Sequence, residues 1–191
     1  HHLCVNYAEA YNMPIVCGIL FNHEGELRSR EFVTRKISYG LSAIKRGLRR
    51  KLVMGNLDSQ RDWGYFKDYA EAILLMMDKG SSSVYVIATN ETHMIREFIE
   101  LAFQQIFQHA IRWVGKGVKE KGLDQRGDVI VEVSRDFYRP SEVNLLVGDY
   151  RAAKKALGWE PITKFPQLVD LMVKADLQVT QQELEGHYVG Y

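Results

Sequence analysis

Two features that organise many enzymes of this size are missing from the sequence. No Gly-x-Gly-x-x-Gly or Gly-x-x-Gly-x-x-Gly follows an opening strand, so no complete dinucleotide-binding unit can be assigned. The six histidines are scattered and the two cysteines, Cys4 and Cys17, are not paired at a metal-ligand spacing, which argues against a metal enzyme. Long apolar runs are missing too. Met13 to Phe21, the longest, contains Pro14 and is far too short to cross a bilayer, and no signal-peptide pattern opens the chain, so a soluble protein is expected. Charge of one sign is not in excess: the formal net charge is +1, which gives no long-range attraction to nucleic acid or an anionic membrane. Any basic residue that matters acts locally. Cys4 and Cys17 sit in apolar contexts and read as buried free thiols in a reducing, cytoplasmic compartment. No internal repeat, low-complexity segment or linker is visible.

What is present is enough for one sizeable core: 191 residues, 46% hydrophobic and 26% charged. Helical spacing in residues 1–12 gives way to MPIVCGILF, a nearly continuous apolar run expected of a parallel strand covered on both faces. Helical spacing returns over 31–47, KLVMG at 51–55 reads as a strand, and NLDSQRDWG reads as a loop. A helix follows at about 65–78, then a strand at 84–89, then an amphipathic helix opened by Thr92 and running to about Phe107. From Ile111 to Val133 glycines break the pattern into short strands, and two helices follow at 149–158 and 165 to about 178. Alternating strands and helices predict an α/β fold.

Three blocks are too polar, aromatic and specific to be ordinary loops. They are GILFNHE with FVTRKI (18–37), GNLDSQRDWGYFKDYAEA (55–72) and FYRPSEVNLLVGDYRAAKKALGW (137–159). In this order the blocks resemble the GDP-mannose 4,6-dehydratases, extended short-chain dehydrogenases that act on nucleotide sugars, and the resemblance covers almost the whole chain. It implies the carboxy-terminal part of a Rossmann-like doubly wound parallel sheet with a smaller mixed α/β substrate-binding lobe. Residues 1–54 would end the NADP-binding domain, and residues 55–191 would form mainly the substrate lobe with a returning strand and helices.

The resemblance also implies a reaction, a set of ligands and their partners. In the family, hydride passes from sugar C4 to NADP, water is lost across C5 and C6, and hydride returns at C6, so GDP-mannose becomes GDP-4-keto-6-deoxymannose. By the same resemblance Asn22 and Lys36 would lie against the sugar and diphosphate. Gly55 and Asn56 would belong to the same substrate site, Arg61 and Arg139 would clamp the phosphates, and Glu142 would bind a ribose hydroxyl or a base edge. Arginine suits a phosphate clamp because its planar fork gives paired charge-assisted bonds. His23 and Arg28 match positions that meet NADP, the arginine on a loop that can reach a neighbouring subunit in a dimer or tetramer. Here this chain departs from the family, reading Asn22-His23-Glu24-Gly25-Glu26 where the family often has Ser-Pro after the glutamate, which loosens the loop and adds negative charge.

The family's catalytic Tyr-x-x-x-Lys and glycine-rich loop have no counterpart in these residues, and Tyr7, Tyr11 and Tyr39 have no lysine four residues on. No catalytic residue is therefore assigned, and the chain alone is expected to be inactive. Two other readings stay open. One is a non-catalytic module that holds a nucleotide sugar; the other is a related epimerase or 4-keto reductase. Bared sheet edge and apolar surface would count against a stand-alone module.

Overall fold

The computed structural model describes residues 1–79, 83–138 and 145–187. In chain order the elements are α1 (His2–Tyr11), β1 (Val16–Leu20), β2 (Asn22–Glu24), α2 (Val33–Lys45), β3 (Leu52–Met54), β4 (Gln60–Arg61) and β5 (Trp63–Tyr65). Then come α3 (Phe66–Lys79), β6 (Ser83–Ile87), β7 (His93–Met94), α4 (Ile95–Phe107), β8 (Arg112–Val114), β9 (Lys121–Leu123), β10 (Val129–Val133), α5 (Arg151–Leu157) and α6 (Phe165–Leu184). The chain packs as two units, each assembled from three separate stretches. The first is His1–His23, Asp62–Thr92 and Leu146–Lys164; the second is Glu24–Arg61, His93–Leu145 and Phe165–Tyr191.

In the first unit β1 and β6 run parallel, in register from Val16 against Ser83 to Leu20 against Ile87. Helix α3 precedes β6 and packs on β1, while α5 packs on β6 and α3. This is the strand, helix, parallel-strand arrangement that apolar runs separated by amphipathic segments predict. Tyr69, Met76, Tyr85, Ile87 and Trp159 form its core. Two buried aspartates tie its loops. Asp62 accepts from the Thr89 amide (2.9 Å) and hydroxyl (2.7 Å) and from the amides of Asn90 and Gly148 (3.1 Å each). Asp68 accepts from the amides of Ile162 (3.1 Å) and Thr163 (2.8 Å), and its own carbonyl receives the Trp159 indole N–H at 2.8 Å.

In the second unit α2, α4 and α6 pack on one another, and β3 lies parallel to β10 in a four-stranded sheet ordered β3, β10, β9, β8. Phe98, Ile99, Phe103, Leu168 and Met172 are fully enclosed at the helix junction. Each such side chain contributes roughly 1.5–3 kcal/mol relative to an exposed one. Among them lies an ion pair with both side chains at 0% exposure, Arg35 Nε to Asp176 Oδ1 at 2.7 Å. Ser38 donates to the other Asp176 oxygen at 2.5 Å, and the Arg35 guanidinium also donates to the carbonyls of Glu26 and Arg28. Burial pushes the Asp176 carboxyl above its usual range, and the bonds from Ser38 and Arg35 pull it back.

Several sequence expectations are corrected. NLDSQRDWG is no plain loop, since it holds β4 and the start of β5; two- and three-residue strands carry no periodic signal. Helix α4 begins at Ile95 rather than Thr92, because His93 and Met94 are drawn into a ladder with Arg61 and Gln60. Helix α6 runs past 178 to Leu184, its last turns anchored by Glu183, which receives bonds from Arg30 (2.8 Å) and Tyr39 (2.7 Å). Strand β1 is not covered on both faces: Ile19 and Leu20 are 45% and 39% exposed, in a sheet of two strands among the described residues. Cys4 and Cys17 are free but half-buried where burial was expected: Cys4 lies on α1, which buries none of its residues, and Cys17 on β1, none of whose residues is fully buried.

Asp176→Asn should lower the stability of the second unit by about 3–5 kcal/mol, because it strands the Arg35 charge in a dry site. The Arg35→Met, Asp176→Leu double variant should recover most of that loss. Urea unfolding followed by tryptophan fluorescence measures both; a single variant no less stable than the double would contradict this account.

Candidate functional site

A cleft of about 480 Å³ opens in the second unit. Helix α2 and the turn before it supply Glu31, Phe32, Val33 and Lys36; the segment after β3 supplies Gly55, Asn56 and Arg61; Ile95 and Phe137 close it. The Lys36 ammonium lies 4.3 Å from the centre of the Phe137 ring. Burial first, and the Arg49 guanidinium second, hold its pKa below the ordinary lysine value. A half-desolvated cation of this kind binds an anion more strongly than a fully hydrated one does.

Gly55 is required where it stands. A Cβ there would fall 2.2 Å from the Phe137 carbonyl oxygen, a backbone atom that cannot swing aside as a side chain can. Glycine therefore lets the chain carrying Phe137 close over the β3 end, which places the ring under Lys36. Asn56 accepts the Asp58 amide at 3.1 Å through its side-chain oxygen, and Arg61 donates to the Gln60 carbonyl at 2.8 Å. The described lining offers two cations, one amide, an aromatic face and one carboxylate, Glu31, but no serine, cysteine, histidine or tyrosine. Such a set can grip a polar anionic ligand; it has no nucleophile beside a base.

Of the residues expected at the site, Lys36, Gly55, Asn56 and Arg61 are brought together in this cleft. Arg28 belongs to the same unit but is not in the lining. It forms an ion pair with Glu24 at 3.2 Å and lies 3.6 Å above the Phe32 ring. Asn22 and His23 belong to the first unit, where His23 Nδ1 lies 3.2 Å from the Phe21 carbonyl. Arg139 and Glu142 lie outside the described residues.

The RDWG motif divides by role. Only Arg61 reaches the cleft; Asp62 ties loops, Trp63 is core, and Gly64 leaves room for the Tyr69 ring, which a Cβ would meet at 2.2 Å. Sequence reasoning missed Phe137 and Ile95 as lining residues, although Phe137 opens a block already singled out. It also passed over Tyr150-Arg151-Ala152-Ala153-Lys154, which has tyrosine-to-lysine spacing. That pair serves packing: Lys154 binds Glu160 on the surface, and Tyr150 packs edge-on against Trp159 at 5.9 Å.

The family model described as GDP-mannose 4,6 dehydratase matches residues 1–172. This chain belongs to that family. The GDP-mannose 4,6 dehydratase of Drosophila melanogaster is 46% identical over 181 residues, covering 94% of this chain and 46% of that protein. The human GDP-mannose 4,6 dehydratase is 46% identical over 178 residues, with 93% and 48% covered, and the Arabidopsis thaliana GDP-mannose 4,6 dehydratase 1 is 41% identical over 191 residues, with 100% and 48% covered. The chain thus spans about half the length of the curated relatives it matches. Among solved structures, RMD from Pseudomonas aeruginosa complexed with NADPH superposes with a TM-score of 0.74 at 23% identity, over 93% of this chain and 53% of that one. A dTDP-glucose 4,6-dehydratase from Bacillus anthracis in complex with NAD gives 0.70 at 18%, over 95% and 50%. These likenesses establish the fold, a Rossmann-like α/β fold.

Because its pKa is lowered, Lys36 should lose its proton below the ordinary lysine range, so the cleft sheds positive charge early on the alkaline side. Carbon-13 labelling of lysine Cε, followed through an alkaline titration, reads this directly. Arg49→Gln should move the Lys36 midpoint upward without restoring it fully, since burial remains. A midpoint that stays put would remove Arg49 as a cause.

Proposed function

We propose that this chain provides the substrate-gripping part of a GDP-mannose 4,6-dehydratase, which converts GDP-mannose to GDP-4-keto-6-deoxymannose. The observation that carries the reading is the convergence of Lys36, Gly55, Asn56 and Arg61 on one cleft, in a chain whose family is that of these dehydratases. Two cations suit a diphosphate, the Asn56 amide suits hydroxyls, and the Phe137 face suits a sugar or base. In this reading Arg61 works with Arg139 as the phosphate clamp, Glu142 receives a ribose hydroxyl or base edge, and Asn22 approaches the sugar. Residues 1–54 serve mainly the cofactor side and 55–191 mainly the substrate side. That boundary divides roles and not packing, because both units draw on each stretch.

NADP is the cofactor of the proposed reaction, and when bound it supplies the hydride acceptor and donor. The residues here fit it only in part. His23, on β2, would serve it in this reading, whereas the Arg28 charge is already met by Glu24, so a phosphate would have to compete for that arginine. The remaining contacts, including the catalytic tyrosine and lysine, are assigned to chain outside these residues, and the intact enzyme is proposed to be a cytoplasmic homo-oligomer. The half-length match favours this over a non-catalytic nucleotide-sugar-binding module.

The 191-residue chain should bind GDP and GDP-mannose by calorimetry without forming 4-keto-6-deoxy product when NADP is added. Arg61→Ala should weaken GDP binding roughly tenfold or more, the scale of one lost charge-assisted contact. Absence of GDP binding, or product formation by the chain alone, would refute the proposal.

A further inference from the structure

Arg96 stands outside the cleft, yet it is bonded to the segment that builds it. Its guanidinium reaches Asp58 Oδ1 from Nε at 3.1 Å and from Nη2 at 2.7 Å, and reaches Glu120 at 2.7 and 3.1 Å. The plane lies 4.9 Å from the centre of the Trp113 ring, and the Trp113 N–H is in turn held by Glu100 at 2.8 Å. These two carboxylates raise the Arg96 pKa, so the cation is permanent. The two arms differ in exposure. Asp58 is 64% exposed, Glu120 only 12%, so the Glu120 arm fixes the arginine and the Asp58 arm is what the arginine fixes.

The backbone repeats the same connection. The amides of Ile95 and Arg96, which lack helical partners at the start of α4, donate to the carbonyls of Ser59 (3.2 Å) and Leu57 (2.9 Å). The helix start and the arginine side chain thus grip residues 57–59 from main chain and side chain together. Within that segment the Asp58 amide donates to the side-chain oxygen of Asn56. One bond further on, Asn56 lines the cleft.

We infer that Arg96 is a positioning residue: braced by Glu120 and Trp113, it holds Asp58, whose amide fixes the side-chain orientation of Asn56 in the cleft. The effect on ligand rests on the nucleotide-sugar reading of that cleft; the effect on the Asp58 amide does not. An arginine is needed because a planar fork satisfies two carboxylates at once, whereas the single ammonium of lysine cannot reproduce both pairs of bonds.

Two measurements on the full 191-residue chain decide it. Hydrogen exchange at the Asp58 amide should quicken roughly tenfold in Arg96→Met and partly so in Arg96→Lys, the scale of losing a charge-assisted bond. Amides in the α2 and α6 cores should keep their wild-type rates. Calorimetry with GDP should show Arg96→Met weakening binding, but adding almost nothing in an Asn56→Ala background, because the arginine would act through that asparagine. An unchanged Asp58 amide overturns the clamp whether or not GDP binds. A faster amide together with additive losses in the double variant overturns the route through Asn56, since a general loss of structure would add. If the wild-type chain fails to bind GDP while the amide responds, the ligand reading falls and the clamp stands on the exchange data.

Discussion

The buried bond between Arg35 and Asp176 is the constraint on which the second unit turns. A fully enclosed guanidinium and carboxylate are tolerable only if nearly every donor and acceptor is met. Meeting them recruits Ser38 from α2 and the carbonyls of Glu26 and Arg28 from the preceding loop. Thr34, one residue earlier, donates to Glu24 at 2.5 Å, and Glu24 pairs with Arg28, so the loop from 24 to 28 is tied to the start of α2 at several points. The same helix start presents Val33 and Lys36 to the cleft. A hydrophobic pair of the same volume would pack as well, but it would not hold the loop carbonyls. The polar pair therefore fixes geometry at the edge of the site, which an apolar pair would not do.

That geometry lets the cleft present effective positive charge with few charged residues. Lys36 lies over Phe137 and partly out of water, so its attraction to an anion is less weakened by solvent than that of Lys45 or Arg46 on the exposed end of α2. The chain is nearly neutral overall. In the proposed reading, recognition is a matter of placing two cations and one amide, and not of building a field that draws anions from a distance.

Much of the fold was legible in the residues, and the reasons differ by element. Helices α2 and α4 announce themselves because their apolar residues recur at helical spacing, and β1 and β6 because they are apolar runs bounded by turns. The strands at Gln60–Arg61 and His93–Met94 were not legible, since a two-residue ladder is decided by its partner and not by its own sequence. The length of α6 was missed because its end is set by Arg30 and Tyr39, more than 140 residues away. Of the site, Lys36 and Arg61 were reached only through the family likeness; by spacing alone each is an ordinary surface charge. Phe137 and Ile95 escaped because cleft walls are made by segments distant in sequence. Asp62, a motif residue given no role from the sequence, serves loop geometry through bonds to Thr89, Asn90 and Gly148, contacts that its own segment does not announce.

Each packing unit is threaded through three stretches of chain, with the last stretch of the first unit beginning only at Leu146. During synthesis, then, neither unit can close as its own residues emerge. Asp62 waits for the amide of Gly148, Asp68 for Ile162 and Thr163, and Arg35 for Asp176. Contacts this far apart in sequence form late and slowly, because a long loop must be closed before any of them is gained. Until α6 leaves the ribosome, the nascent chain therefore carries an unmatched carboxylate-binding site and an uncovered arginine, and incomplete surface of this kind is what makes partly made chains prone to stick to one another.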